Sequence, residues 1–391
     1  FRSRHRHSRD ESMHSVTPRP RILLLTRNLP PLVGGMERLL LNLAGGLNDF
    51  AELTVIGPKG CSTHLPAQAK VFEVPARLAP FLLRATILSL KLYRQQRFDL
   101  IIGGSGIVAP SLRLLSAIYR CKTMLLVHGL DIIVASTLYQ RLFVPCIRGL
   151  NKVVANSTNT RQLCIDKGID PARISVINPG VSLQTIPGKE IRQRFRGDKG
   201  IAFDRYLLFV GRLTQRKGLS RFLRESFPAI QSQAPDLGLV VVGDDPGNSL
   251  NKLKEQAAIL QAIEDTGLAD SVLFLGEVDD QALQLCYSEA ATLIFPLVDI
   301  PGDVEGFGMV AVEAAACGTP TVAFRLGGVE DAISEENGYL VPPGDYGGFT
   351  RAVLRSLDSE TPSPDECVSF AQKFAWNHYH AQIRSEVERL T

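Results

Sequence analysis

Ile22-Leu-Leu-Leu-Thr-Arg-Asn-Leu-Pro-Pro-Leu-Val-Gly-Gly-Met-Glu-Arg-Leu-Leu-Leu-Asn-Leu-Ala-Gly-Gly-Leu47 is the stretch that decides the fold. It opens with an unbroken aliphatic run of strand length, the pattern of a strand covered on both faces rather than wet on one. A long loop from Thr26 to Glu37 follows. Met36, Leu39, Leu40, Leu43 and Leu47 then recur at i, i+3, i+4, i+7 and i+11, one apolar face of a helix. Strand, loop and one-faced helix in that order form the opening unit of a parallel α/β sheet.

The same kind of apolar run returns at Leu53–Ile56, Leu100–Ile102, Met124–Val127, Lys152–Ala155 and Ile174–Ile177, then at Tyr206–Val210, Leu239–Val242, Val272–Leu275, Ala291–Phe295 and Thr321–Ala323. The polar stretch Ser182–Asp204 separates the two groups. The fold class expected is therefore α/β, with two Rossmann-like parallel-sheet domains, 21–183 and 204–370, joined by a linker at 184–203 and facing each other across a cleft. A length of 391 residues, at about 150 per domain, agrees with two cores.

Composition narrows the class further. With 45% hydrophobic and 21% charged residues the chain is neither disordered nor a polytopic membrane protein. Its seven cysteines, at 61, 121, 146, 164, 286, 317 and 367, include no C-x-x-C pair, which points to a reducing compartment and a cytoplasmic location. Residues 1–20 are basic and His-rich, and are expected to be a disordered leader or expression remnant. Residues 21–180 hold 19 Lys+Arg against 8 Asp+Glu, whereas residues 181–391 hold 19 against 30. The basic half is expected to meet something anionic, or the two halves attract each other across the cleft.

Ligands of doubly wound sheets lie at the carboxyl ends of the strands, so those loops hold the candidate site. Gly34-Gly35, at a helix start, lets backbone N–H groups approach a phosphate, although the G-x-G-x-x-G dinucleotide fingerprint is absent. His128 follows a strand directly and precedes Gly129, with Asp131 placed to orient it. Arg212 and Lys217, just past the strand that opens the second domain, are expected to converge on one anionic group. In Asp303-Val-Glu-Gly-Phe-Gly-Met-Val-Ala-Val-Glu-Ala-Ala-Ala-Cys-Gly-Thr-Pro320, Glu313 sits in an otherwise apolar helix and so requires a partner. Glu305 lies in the glycine loop leading into that helix, where the N–H groups of Phe307, Gly308, Met309 and Val310 point at whatever Glu305 binds.

These residues resemble the retaining nucleotide-sugar glycosyltransferases of family 4, which have the GT-B fold. The resemblance spans about residues 21–391. It is carried by E-x7-E at Glu305 and Glu313, Pro30–Arg38, His128-Gly129, Asn156-Ser157, Pro179-Gly180-Val181, Val210-Gly211-Arg212 with Lys217-Gly218, and Gly327-Gly328 followed by Asn337-Gly338. It implies that Glu305 binds donor-sugar hydroxyls, Glu313 the ribose, Arg212 and Lys217 the diphosphate, and Gly34-Gly35 the phosphate side of the acceptor cleft. It further implies that His128 contacts the sugar, that Val278 lies near the base, and that residues 371–391 cross back to the first domain as a helix. Ser182 after Pro-Gly-Val, and Gly243-Asp-Asp-Pro246 in place of G-x-G-P, depart from the family pattern and blur base and sugar preference.

The activity implied is retaining transfer of a hexosyl unit from a nucleoside-diphosphate sugar, with no metal and no other cofactor. Asp303–Gly308 looks like mannosyltransferases that use GDP-mannose and phosphatidylinositol mannosides, which places GDP-mannose ahead of UDP-glucose or a UDP-N-acetylhexosamine. A lipid-linked or cell-envelope glycan is the expected acceptor, and nucleic acid is not a partner. Between Pro80 and Arg97, Arg84, Lys91 and Arg94 share a helical face between apolar rows and are expected to allow peripheral contact with an anionic membrane. A Rossmann oxidoreductase or epimerase, or a silent sugar-nucleotide-binding subunit, are the alternatives, and oligomeric state is left open.

Overall fold

The computed structural model describes residues 19–183, 185–243, 252–358 and 362–391. Residues 1–18, most of the stretch expected to be a leader, and Asp244-Asp245-Pro246 lie outside these.

Two parallel sheets form the molecule. The first contains β1 (Arg21–Leu25), β2 (Glu52–Pro58), β3 (Lys70–Val74), β4 (Leu100–Gly103), β5 (Lys122–Val127), β6 (Lys152–Ala155) and β7 (Ile174–Val176), in the spatial order β3-β2-β1-β4-β5-β6-β7. The second contains β8 (Arg205–Val210), β9 (Leu237–Val242), β10 (Val272–Gly276), β11 (Thr292–Phe295), β12 (Thr321–Phe324) and β13 (Gly338–Val341), in the order β10-β9-β8-β11-β12-β13. Every strand pairing within them is parallel. Helices cover both faces, so the central strands are apolar along most of their length.

All eleven expected strands are present, and two were missed. β3 (Lys-Val-Phe-Glu-Val) is a sheet edge, where half-burial mixes charge into the run. β13 (Gly-Tyr-Leu-Val) is the opposite kind of edge, short and opened by the Asn337-Gly338 turn. The stretch expected to be a linker contains a helix, Lys189–Asp198, whose Arg192 and Arg196 bind Glu289 of the second domain at 3.2 and 3.3 Å.

The first helix runs Gly35–Phe50 and buries Leu39, Leu40, Leu43 and Leu47, but Met36 stays exposed. It shares one core with the helix Trp376–Leu390, which leaves the second domain and lays Tyr379, Ile383 and Val387 against the first sheet. On the sheet's other face Phe81, Leu112, Leu115 and Ile147 come from three neighbouring helices. Side chains of this size, fully buried, each contribute roughly 1.5–3 kcal/mol. In the second domain Phe209, Phe222, Phe227 and Phe349 form the corresponding layer.

Strand order reverses between β1 and β4 and again between β8 and β11. Crevices open at such switch points. The loops that emerge there carry Gly34-Gly35 in one domain, and Arg212–Gly218 with Pro296–Gly308 in the other.

Candidate active site

Glu305 is the centre of the site. Its carboxylate accepts hydrogen bonds from Arg216, through one Nη, and from Lys217 Nζ at 2.8 Å. Arg216 Nε lies 3.0 Å from Asp303, and Lys217 Nζ sits 4.6 Å above the Phe295 ring. Burial alone would raise the Glu305 pKa, but Lys217 and Arg216 outweigh it and hold the group at about 2. Glu305 is therefore held ionised by Arg216 and by Lys217, whose own pKa burial pushes down while Glu305 pulls it up.

Backbone geometry brings these groups together. Gly218 has φ 74°, and a Cβ there would stand 1.8 Å from the Pro296 carbonyl, so the two switch-point loops can approach only with glycine at this position. Gly308, at φ 92°, turns the chain into the helix Met309–Ala316 and aims its first N–H groups at the cleft. The Phe307 ring is buried against Phe374, so only its backbone faces the site, and Val310 packs into the second domain's cores. Met309 reaches the first domain: a Cβ on Gly35 would lie 3.3 Å from its sulfur. The glycine loop expected to approach phosphate thus faces the N-terminus of the helix that carries Glu313.

Among the described residues Arg212 and Lys217 share no protein partner. Lys217 turns inward to Glu305, while Arg212 stays exposed on the loop after β8 and makes no ion pair among the described residues. The second cation on Glu305 is Arg216, which sequence reasoning missed. Its signal was the adjacent pair Arg216-Lys217 matched by carboxylates two residues apart at 303 and 305.

Glu313 has the partner its apolar helix requires. Tyr287 Oη donates to it at 3.0 Å, and Arg38, from the first domain's opening helix, binds it at 2.7 Å and also binds Asp280 at 3.0 Å. Val278 lies in the loop after β10, two residues before Asp280. A cavity of about 250 Å³ opens here, lined by Arg38, Asn42, Tyr287, Glu313, Ser182 and Trp376. Arg38 was not singled out from the sequence, because its role exists only once the domains dock.

His128 is buried at the cleft. Its Nε2–H donates to the Gly104 carbonyl at 2.8 Å, which leaves Nδ1 without the proton in the neutral ring. Asp131 does not orient the ring as expected; it accepts the backbone N–H groups of His128 (2.8 Å) and Gly106 (2.9 Å), because a carboxylate three residues on folds back onto its own loop. Beside it, Asn156 Oδ1 is buried without a hydrogen-bond partner among the described residues, and the backbone of Gly306 approaches the His128 carbonyl closely. Asp331 ties the domains again, accepting from the Thr158 backbone at 2.7 Å and from Asn178 at 3.0 Å.

Residues 33–185 match the family model described as Glycosyltransferase Family 4, and residues 204–359 match that described as Glycosyl transferases group 1. The chain belongs to glycosyltransferase family 4. Among relatives of this family 4 chain, D-inositol 3-phosphate glycosyltransferase 2 of Catenulispora acidiphila is 34% identical over 216 residues, which are 54% of this chain and 49% of that protein. The D-inositol 3-phosphate glycosyltransferase of Acidothermus cellulolyticus is 34% identical over 244 residues, 59% of this chain and 52% of that one. The chain spans about half the length of the curated relatives it matches. Anabaena HepE, solved in complex with UDP, superposes with TM-score 0.76 at 23% identity, covering 94% of this chain and all of that one. Sucrose-phosphate synthase from Thermosynechococcus elongatus gives 0.78 at 22% identity over 95% and 99%. These two establish the GT-B fold.

The site's ionic lattice has a pH signature. A carboxyl whose folded pKa lies below its unfolded value stabilises the fold above the unfolded pKa and loses that contribution as pH falls through the folded one. For Glu305 the window runs from about 4.5 down to about 2. Wild type is expected to lose more stability than Glu305→Gln across this window, measured by urea unfolding at stepped pH; parallel curves would show that the pairing contributes nothing.

Proposed function

We propose that the chain transfers a hexosyl unit, with retention, from a nucleoside-diphosphate sugar to a lipid-linked or cell-envelope glycan acceptor. The observation that carries this reading is the Arg216–Lys217–Glu305 cluster at the N-terminus of the Met309–Ala316 helix, opposite Gly34-Gly35. A leaving diphosphate needs positive charge placed in advance, and a buried lysine, an exposed arginine and a helix N-terminus supply it. Glu305, fixed as an anion, is suited to sugar hydroxyls and to a developing oxocarbenium charge. No side chain is placed as a nucleophile in this account. The acceptor attacks on the face the leaving group departs from, and a leaving-phosphate oxygen takes its proton. His128 Nδ1 is available to a sugar hydroxyl.

GDP-mannose is the donor favoured by the Asp303–Gly308 string, ahead of UDP-glucose or a UDP-N-acetylhexosamine. HepE, solved with UDP and, in another structure, with UDP-glucose, supports a uridine donor as the second reading. The reading places the chain in the cytoplasm with no metal, since cationic side chains do the work a divalent ion would do. A thermal-shift panel of UDP, GDP, ADP and NAD with magnesium or EDTA tests it. One nucleoside diphosphate should raise the Tm equally in both, a ligand at a hundred times its Kd giving about 2.7 kcal/mol. Stabilisation by NAD alone would favour an oxidoreductase, and binding without turnover a silent subunit.

Arg38 occupies the carboxylate proposed for the ribose, so nucleotide must compete with it. Arg38→Ala is expected to bind nucleoside diphosphate about two- to fivefold more tightly, the worth of a partly exposed ion pair, whereas Glu313→Gln weakens binding. Equal weakening by both, measured by calorimetry, would make Arg38 itself a donor ligand.

A further inference from the structure

Three neighbouring helices, Leu78–Gln95, Ala109–Tyr119 and Thr137–Arg148, form one layer on the outer side of the first sheet. Thr86 and Ser111 join the first two by a 2.7 Å hydrogen bond. With their inner faces buried, each helix still presents an i, i+4 aliphatic pair to solvent: Leu83 and Ile87 (64% and 58% exposed), Leu114 and Ile118 (42% and 53%), and Leu138 and Leu142 (66% and 54%). Isolated exposed leucines need no explanation, but three such pairs on neighbouring helices do.

The charges on this layer are of one sign. None of the three helices contains an Asp or Glu, while Arg84, Lys91, Arg94, Arg113, Arg141 and Arg148 are all exposed. Among the described residues none of the six forms an ion pair, although the chain pairs many of its other arginines. Among the described residues, the acidic second half of the chain exposes large hydrophobic side chains at Leu183, Ile186, Ile191, Leu260 and Phe274, with no i, i+4 pair among them.

We infer that this three-helix face is a docking surface for an anionic lipid bilayer. Aliphatic pairs enter the headgroup and acyl boundary while the cations bind lipid phosphates, the two contributions that hold an amphipathic surface on a membrane. A second copy of the same face is disfavoured because six uncompensated cations would meet six. Nucleic acid would use the cations but leave the aliphatic pairs without a partner. The inference rests on the face alone and stands whether or not glycosyl transfer is the activity. It extends the expectation placed on Arg84, Lys91 and Arg94, which turn out to be one edge of a larger surface.

Flotation of the full chain with liposomes tests it. Expected is recovery with phosphatidylcholine vesicles containing 30% phosphatidylglycerol at low salt, at least tenfold above pure phosphatidylcholine, and release at 0.5 M salt. Arg84→Glu/Lys91→Glu/Arg94→Glu should lower recovery at least tenfold, and Leu83→Ser/Ile87→Ser/Leu138→Ser/Leu142→Ser should lower it severalfold, both with unchanged Tm. Leu260→Ser should change nothing. No flotation of wild type would overturn the proposal. So would flotation indifferent to both sets of variants, or lipid-independent self-association that the serine variant abolishes.

Discussion

Lys217→Ala is expected to lower kcat about 10²–10³-fold while the chain still folds. The magnitude follows from removing one preorganised charge aimed at a leaving group in a water-poor site. Folding survives because Glu305 keeps Arg216, and Arg216 keeps Asp303, so no buried ion is left without a partner. What the fold does lose is one of the two cations on Glu305, the contact of the ammonium with the Phe295 ring and the packing of the lysine stem. Lys217→Met restores the stem without the charge and separates packing from charge: it should regain part of the Tm lost in Lys217→Ala but none of the turnover. Wild-type turnover in either variant would remove Lys217 from the chemistry and transfer its role to the exposed Arg212.

Gly306→Ala acts at the contact between domains. Gly306 is not in the left-handed region, so alanine is allowed by its own backbone. The added Cβ would lie 2.3 Å from the His128 carbonyl and 2.7 Å from Asn156 Nδ2, both in the other domain. The overlap is relieved by moving the domains apart rather than by unfolding either one. Transfer should fall about 100-fold or more, since misplacement by about 1 Å costs that much. Nucleoside diphosphate affinity should stay within a few-fold, because its ligands belong mainly to the second domain. Loss of binding in parallel with loss of transfer would mean that Gly306 shapes the donor pocket itself.

Both predictions concern residues on either side of what the sequence could reveal. Glu305, Lys217 and Gly308 were legible because their chemistry is local: a carboxylate in a glycine loop, a lysine past a strand, a glycine before a helix. The central strands were legible because burial on both faces leaves nearly continuous apolar runs to read, whereas β3 and β13, at sheet edges, are half-buried and short, with charge mixed into β3 and a glycine opening β13. Arg38, Asp331 and the approach of Gly306 to His128 were hidden because each contact is made only when the domains dock, and no spacing along the chain encodes that. Arg216 lay between these cases. Two adjacent cations match two carboxylates in the sequence, but that both turn inward onto them follows from the tight crossing of Gly218 over Pro296.

The most direct test of the central claim is to incubate the chain, in EDTA, with GDP-mannose, UDP-glucose and UDP-N-acetylglucosamine in turn, together with a membrane-lipid extract, and to determine the anomeric configuration of any glycoside formed by NMR. The account predicts release of one nucleoside diphosphate with a product of the donor's own configuration, abolished in Lys217→Met. An inverted product, or transfer that requires a divalent ion, would contradict it.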